Sequence, residues 1–264
     1  MKNVFKGLYM SFGMFCTIPL PGFWDNKAAK YMMPWFPLVG AVIGLLWWLS
    51  AELLDFLGWH FWLPMPMLAG LLMLVPFLFA GFIHLDGFMD TCDAALSRRG
   101  IEDKLRILKD PGTGAFAVIM LAILFILLYG SALSALEYGV NFTPLIVVPI
   151  VSRSFSALSM LCITPMSPDG YAATFRPEVS AVHRVVTVFT TALAFALSWL
   201  IAGWPGLIVA AAVAIGFAAA MLWALKSFEF RGVSGDLAGF SLVVAELCGV
   251  MALVSVPFAM PGLR

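Results

Sequence analysis

The sequence contains few charged residues. Only 11% of its 264 residues are Asp, Glu, Lys or Arg, whereas an ordinary soluble domain carries about 25%. Hydrophobic residues make up 62% of the chain, and the mean hydropathy is +0.99. This composition excludes an ordinary soluble domain and predicts a single all-α domain over residues 1–264, a polytopic bundle of membrane helices.

The chain also has no surplus of positive or negative charge, and it has no cysteine motif. The 15 basic and 15 acidic residues cancel, which leaves no basic surplus for binding nucleic acid, so we expect no nucleic-acid partner. The absence of a CxxC pair argues against a cysteine-based metal site. We expect buried, reduced thiols at the four cysteines, Cys16, Cys92, Cys162 and Cys248.

The N-terminal segment lacks the small-residue cleavage site of a secretory signal, although it contains lysines and a short apolar stretch. We therefore expect an uncleaved interfacial or re-entrant segment that ends at Pro19, Pro21 and Gly22.

Long apolar stretches are plentiful. A bilayer core about 30 Å thick requires roughly 20 apolar residues per helix. Seven stretches qualify as spans: 36–57, 62–83, 115–136, 143–164, 185–202, 205–226 and 238–259. Turns between paired spans are expected at 58–60 and 203–205. The small residues Ala212, Gly216 and Ala220 should permit close packing of the sixth span against another helix.

Basic residues indicate the orientation. Apart from Arg153 and Arg264, every Lys and Arg lies in the N-terminal segment or in the loops after the second, fourth and sixth spans. Loops on the cytoplasmic side of membrane proteins are enriched in these residues. The N-terminus and these loops should therefore face the cytoplasm.

Three acids follow the second span in the stretch HLDGFMDTCD. Asp86, Asp90 and Asp93 are spaced i, i+4, i+7, which on a helix keeps them within an arc of about 60°. Such carboxylates repel one another and attract a divalent cation, Mg²⁺ or Mn²⁺. Gly87 leaves room for a phosphate, whereas His84 points to the opposite side. The alternative explanation for the three acids is that they only cap a helix or solvate a loop.

The segment after these acids is amphipathic. Ile101, Leu105 and Leu108 share one face of a short predicted helix at the cytoplasmic surface, and Glu102 precedes Arg106 by four residues. Its basic residues could neutralise phosphate charge, and the turn at 112–114 could offer backbone N–H groups to an anion.

Two charged residues, Arg153 and Glu246, fall inside predicted spans. An ionised side chain there is costly unless it is paired or faces a wet cavity. A salt bridge between helices and a contact with substrate both remain open. Asp236 begins the last span, and the polar loops should converge with it on a site for a water-soluble, phosphorylated substrate.

Several motifs, in order along most of the chain, resemble the cobalamin synthase family, the adenosylcobinamide-GDP ribazoletransferases. They are TIPLPG, FPLVG, HLDGFMDTCDA, KLRILKDPGTGAF, VSRSFSAL, DGYAATF and SGDLAGF. The resemblance implies a late step of vitamin B12 assembly at the bacterial inner membrane. In that step α-ribazole, or its 5′-phosphate, attacks the pyrophosphate of adenosylcobinamide-GDP and releases GMP, with Mg²⁺ required.

The resemblance also implies roles for residues in a cytoplasmic catalytic region at about 84–114 and beyond it. Asp86, Asp90 and Asp93 would bind metal and pyrophosphate, with Asp236 as a supporting ligand or base. Four further residues would contact substrate: His84, Lys109, Arg153 and Glu246.

The expected partners are the two substrates and the lipid bilayer, with a homo-oligomer and other membrane-associated cobalamin-pathway enzymes as further expectations. The chain departs from the family pattern at Ala94–Ala95, at Val243 in place of an acid, and at 166–168, where a basic residue is missing.

Three other classes of membrane protein fit these motifs less well. A CDP-alcohol phosphotransferase also uses clustered aspartates, but Met89–Asp90 stands where its motif requires Ala-Arg. Aspartate-rich prenyl transferases need acid blocks in two loops, and only one is present. A transporter would place polar groups near the membrane midplane and often shows inverted repeats, whereas here most polar groups lie towards one side.

Overall fold

The computed structural model describes residues 2–168, 170–175 and 180–259, and their regular structure is helical. Within these ranges the only β-type pairing is an isolated parallel bridge between Pro165 and Val233. The all-α prediction is therefore confirmed. The helices are α1 (Lys2–Phe15), α2 (Met32–Phe61), α3 (Met65–Ala80), α4 (Ile83–Leu96), α5 (Ile101–Ile107), α6 (Ala115–Tyr138), α7 (Val147–Cys162), α8 (Tyr171–Thr174), α9 (Ala181–Ser227) and α10 (Gly235–Ala259).

Within the described residues, five helices are long and apolar enough to cross a membrane, or six if α3 and α4 together form one broken span. These two helices are bent by 97°, so the predicted span 62–83 corresponds to α3, which ends at Ala80 and does not continue straight into the helix that carries the acids. The reason is local: Gly81 (φ 68°) and Phe82 (φ 61°) both adopt left-handed backbone and end α3.

The predicted turn at 58–60 is also wrong, because α2 continues through it to Phe61. Glycine is common inside membrane helices, and Gly58 packs against Met65 without breaking the helix. The chain turns instead at Trp62, whose backbone is left-handed (φ 55°), and α3 starts after Pro64.

A reversal divides α9, as the sequence predicted for 203–205. Gly203 has non-helical dihedrals (φ 59°, ψ −145°), and Gly206 packs against the carbonyl oxygen of Ser198. Those residues would lie far apart in a straight helix of 1.5 Å rise per residue. The 47-residue range is therefore a hairpin of two segments, each long enough for a crossing.

Glycines allow the central helices to approach closely. Gly40 of α2 lies against the backbone of α7 at Pro149, and Gly44 lies against Ile146, the N-cap residue of α7. Gly216 of α9 lies against Cys248 of α10, which agrees with the close packing predicted for the sixth span.

The N-terminal segment forms α1, which ends at Phe15, before the predicted prolines. Its Gly7 packs against Tyr31, the N-cap residue of α2. All four cysteines are free thiols. The expectation of buried thiols is confirmed for Cys16 and Cys92, whereas Cys248 is half-buried and Cys162 is exposed at the end of α7.

Candidate active site

The crossing of α4 and α10 assembles the candidate site. A side chain at Gly87 would place its Cβ 2.9 Å from the Cα of Asp236, and one at Gly239 would place it 3.2 Å from the carbonyl oxygen of His84. A side chain at Gly87 would require the backbone of α10 to shift, and one at Gly239 would make an unusually tight contact. The two glycines therefore bring the first turn of α10, with Asp236, beside the acidic face of α4.

Four carboxylates lie within electrostatic reach of one another at this crossing. The charges of Asp86, Asp236 and Asp93 all act on Asp90, and Asp86 also acts on Asp236. Asp86 is exposed, whereas Asp90, Asp93 and Asp236 are partly buried. The described ion pairs place no Lys or Arg on any of these acids, so they form an uncompensated negative site.

Asp93 departs from its predicted neighbours. Its two carboxylate oxygens lie against Gly114, the N-cap residue of α6, where a β-carbon would collide with them. A carboxylate is favoured beside the positive end of a helix dipole. Asp93 therefore links the acid helix to the start of α6, which the spacing in the sequence did not predict.

The carboxylate set suits a hard divalent cation in its chemistry. Within the described ranges, however, no group of three or more His, Cys, Asp or Glu side chains is arranged to hold one ion. The predicted triad of Asp86, Asp90 and Asp93 is therefore not assembled as a complete ligand set. A magnesium ion held by fewer carboxylates takes its other ligands from water and substrate phosphates, and the acids fit that pattern.

Contacts join the polar connections at this end of the bundle. Lys104 Nζ donates to the carbonyl oxygen of Ser227 at 3.0 Å, and Arg231 Nη2 lies 3.6 Å from Glu102 Oε1. These contacts hold α5 against the end of α9 and the connection that follows it. Glu102 therefore pairs across the fold, and Arg106 pairs instead with Asp103 at 3.3 Å.

The connection before α6 carries Lys109, whose side chain is exposed. Beyond it, the backbone N–H of Gly112 donates to Asp110 Oδ1 at 2.9 Å. That internal bond closes the turn and uses one of the N–H groups predicted to bind an anion. Lys109 is thus the cation that the loop presents to solvent five residues before Gly114.

His84 lies on the side of α4 away from the acids, as its spacing predicted. Its ring is buried and packs against the rings of Phe15 and Phe36 at centroid distances of 5.9 and 5.8 Å. Its Nε2 has no hydrogen-bond partner among the described residues. The imidazole therefore sits within the bundle beneath the acids rather than among them.

Arg153 and Glu246 form a buried ion pair between α7 and α10. Arg153 Nη1 lies 2.5 Å from Glu246 Oε1, and the residues are only 1% and 6% exposed. Ser152 Oγ donates to the same carboxylate oxygen at 2.9 Å. Of the two alternatives left open by the sequence, the salt bridge is therefore present.

This pair lies below the acids along α10. Glu246 is ten residues beyond Asp236, which corresponds to about 15 Å along the helix axis. The guanidinium of Arg153 lies 5.9 Å from the centroid of Phe36, whose ring also contacts His84. The predicted residues thus form two groups, one acidic at the end of the bundle and one charge-balanced inside it.

Sequence reasoning missed several supporting residues. Ser234 Oγ accepts from the backbone N–H of Leu237 at 3.2 Å and so caps α10 beside Asp236. A serine two residues before the first acid of a helix was a detectable capping signal. Gly239 and Ser152 lie inside the motifs SGDLAGF and VSRSFSAL, but their roles were not predicted, since both act through contacts distant in the chain. Asp169 and Arg176, in and after the motif DGYAATF, lie outside the described residues.

The fold and the acid cluster together define a multi-pass helical membrane protein with a carboxylate-rich site at one end of its bundle. The chain matches the family described as cobalamin-5-phosphate synthase over residues 7–254, and it belongs to that family.

Curated relatives agree with this assignment. A protein of Clostridium botulinum (strain Alaska E43 / Type E3), named adenosylcobinamide-GDP ribazoletransferase, is 40% identical over 253 residues, covering 96% of this chain and 98% of its own. Proteins with the same name from Clostridium perfringens (strain SM101 / Type A) and Pseudomonas putida (strain GB-1) are 35% and 31% identical. They cover 96% and 89% of this chain and 99% and 92% of their own. No solved structure matches the chain.

Proposed function

We propose that this protein joins adenosylcobinamide-GDP to α-ribazole, or to its 5′-phosphate, and releases GMP. The observation that carries the proposal is the uncompensated acid cluster at the α4–α10 crossing, in a chain that belongs to the cobalamin-5-phosphate synthase family. The products are adenosylcobalamin or its 5′-phosphate, which makes the reaction a late step of cobalamin biosynthesis.

The bond changes define what the site must do. A ribose hydroxyl of the ribazole attacks the phosphorus attached to cobinamide, the P–O–P bond breaks, and GMP leaves with the bridging oxygen. A Mg²⁺ ion would neutralise the pyrophosphate oxygens and the charge that develops on the leaving group. We assign its binding to Asp86 and Asp90.

The other residues of the site are assigned from their positions. Asp236 lies close enough to the acid face of α4 to take the proton of the attacking hydroxyl or to orient that group. Asp93 orients the start of α6 through Gly114, and the exposed Lys109 is the cation assigned to phosphate charge. Contacts of His84, Arg153 and Glu246 with substrate remain predictions, because all three are buried inside the bundle.

The acid cluster should face the cytoplasm of the bacterial inner membrane. Support comes from the basic residues, since Arg98 and Arg99 lie in the connection that joins the acid helix to α5, and Lys104 lies in α5 itself. A homo-oligomer and association with other membrane-bound enzymes of the cobalamin pathway stay predictions. The orientation is tested by labelling the variant Arg99→Cys with a maleimide that does not cross membranes. We expect labelling in sealed inverted vesicles and none in intact cells.

The activity is tested with purified protein in vesicles, supplied with adenosylcobinamide-GDP and α-ribazole. We expect GMP and a cobalamin product in equal amounts with Mg²⁺, and neither after chelation of divalent ions. Absence of GMP release at any Mg²⁺ concentration, from protein that remains folded, would contradict the proposal. Accumulation of unmodified substrate inside the vesicles would indicate a transporter.

A further inference from the structure

The connection between α9 and α10, residues 228–234, is held in place by backbone pairing and by burial. The backbone N–H of Val233 donates to the carbonyl oxygen of Thr164 at 2.8 Å, and its carbonyl oxygen accepts from the N–H of Met166 at 2.9 Å. Val233 is fully buried, as is Phe228 at the start of the connection. The connection is therefore a packed part of the bundle, and Asp236 follows the paired residue by only three positions.

Gly232 makes this pairing possible. Its φ of 123° lies in a region of backbone space that residues with a side chain rarely adopt. A Cβ at this position would collide with the carbonyl oxygen of Thr164 and would lie 2.9 Å from the backbone nitrogen of Met166. Both the conformation and the space favour glycine here. An added side chain would therefore force the connection away from the segment that follows α7.

The residues before Gly232 are also constrained. Arg231 lies 3.6 Å from Glu102 of α5. Glu229 and Phe230 both have left-handed backbone, with φ of 52° and 54°. That conformation is costly for residues with side chains and persists only where the surrounding structure determines it. We therefore expect a displacement at Gly232 to move the residues that follow it, at the start of α10.

Those following residues lead directly to the Asp236 carboxylate. Ser234 Oγ donates to Asp236 Oδ2 at 3.3 Å and accepts from the backbone N–H of Leu237 at 3.2 Å. From the side of α4, Gly87 allows the backbone of Asp236 to approach closely. The position of Asp236 at the crossing thus depends on two contacts, one with the connection and one with the acid helix.

We propose that Gly232 is a positioning residue for the transfer reaction, because its contact with residues 164–166 fixes the start of α10 and so holds the Asp236 carboxylate beside the acid face of α4. Ser234 completes this arrangement through its hydrogen bond to the carboxylate. The inference rests on the proposed reaction and on the role given there to Asp236, which takes the proton of the attacking hydroxyl or orients that group.

The test compares Gly232→Ala with Gly235→Ala in full-length protein in vesicles, by the rate of GMP release. Gly235 is the first residue of α10, and among the described residues no atom lies within 4 Å of a Cβ added there. Gly232→Ala should lower kcat on the order of 10²-fold, because a misplacement of about 1 Å at a reacting site can cost that much. Gly235→Ala should keep the activity of the parent. The KM for adenosylcobinamide-GDP should change little in both variants, since Asp236 is assigned to the attacking hydroxyl.

A second comparison separates positioning from a role in the fold alone. Both glycine variants are repeated in the background Asp236→Ala, in single turnovers with excess enzyme. Gly232→Ala should then cause a further loss of less than about twofold, because the carboxylate that it positions is absent. A role in the fold alone would lower kcat by the same factor in both backgrounds.

A milder pair of variants keeps the test decisive if Gly232→Ala does not fold. Ser234→Ala removes the hydrogen bond to the Asp236 carboxylate and should lower kcat on the order of 10-fold, the effect of one hydrogen bond to a charged group. Ser234→Thr keeps the hydroxyl, which also caps a helix, and should restore most of the activity. The loss in Ser234→Ala should likewise disappear in the background Asp236→Ala.

Three results would overturn the inference while the parent still releases GMP. The first is equal kcat for folded Gly232→Ala and Gly235→Ala, and the second is an equal loss from Gly232→Ala with and without the Asp236 carboxylate. The third is full activity of Ser234→Ala. Full activity of Asp236→Ala would overturn the inference together with the role given to Asp236. Absence of GMP release from the parent would instead contradict the proposed reaction, and the inference with it.

Discussion

The acid cluster and the buried ion pair are two charged regions on the same helix, α10, and they differ in charge balance. At the start of the helix, Asp236 joins three other carboxylates and no described cation pairs with them. About 15 Å further along, Glu246 is paired with Arg153 and also accepts a hydrogen bond from Ser152. Balanced charges need no ligand, whereas clustered like charges do.

The largest expected effect is on stability, from breaking the buried pair. Arg153→Met should leave Glu246 buried without its cation and lower the free energy of unfolding by about 3–5 kcal/mol. Arg153→Met combined with Glu246→Gln should recover much of that loss, because no buried charge remains. Reversible unfolding in mixed micelles measures both. Unchanged stability together with a raised KM for adenosylcobinamide-GDP would instead show that Arg153 contacts substrate.

The next largest effect is on activity, from neutralising one clustered acid. Asp90→Asn should lower kcat on the order of 10²-fold, as does removal of a group that stabilises charge in the transition state. Its stability should be unchanged or higher, since one of four repelling charges is lost. GMP release and thermal unfolding are measured together. Asp103→Asn, at a surface acid paired with Arg106, is the control, and equal activities of the two variants would refute the metal assignment.

A smaller effect is expected from separating the helices that assemble the cluster. Gly87→Ala places a Cβ 2.9 Å from the Cα of Asp236, and such overpacking costs about 1–3 kcal/mol. Both stability and activity should fall, because Asp236 moves away from Asp86. Gly130→Ala in α6 meets no atom within 4 Å and should leave both unchanged or raise stability slightly. Full activity of Gly87→Ala would contradict the role given to the crossing.

The smallest effect is expected at the exposed ion pair near the N-terminus. The hydrogen bond from Lys6 to Asp25, 2.7 Å long, lowers the pKa of the Asp25 carboxyl, with the backbone N–H of Lys27 contributing next. The pair therefore stabilises the fold above the unfolded-state pKa and loses this contribution as pH falls through the folded-state pKa. Lys6→Gln should differ slightly from the parent in melting temperature at neutral pH and match it under strongly acidic conditions. A difference that persists in acid would show that Lys6 acts through packing.

The sequence predicted the features of the site that depend on local periodicity. The spacing of Asp86, Asp90 and Asp93 placed them on one helix, and the structure has them all on α4, with His84 directed to the opposite side. The position of Asp236 at the start of the last helix was also predicted and is confirmed. A period of 3.6 residues is set by backbone geometry alone, so these features need no knowledge of the rest of the fold.

Features that depend on packing between distant segments could not be predicted from the sequence. The contact of the Asp93 carboxylate with Gly114 depends on how the helices pack, and so does the ion pair between Arg153 and Glu246. The bend between α3 and α4 requires a left-handed Phe82, a conformation that is rare for a bulky residue. Glycine behaved in two ways, ending a helix at Gly203 but not at Gly58.

The reversal at Gly203 has a consequence for the biogenesis of the protein. Because a single residue turns the chain, the two halves of α9 have no hydrophilic connection between them. Trp199 and Trp204 pack edge to face across the turn, with ring centroids 4.5 Å apart. Tryptophan favours the boundary between lipid and water. Neither half can be released from the insertion machinery and await its neighbour, so the pair should leave the translocon together, already folded back on itself.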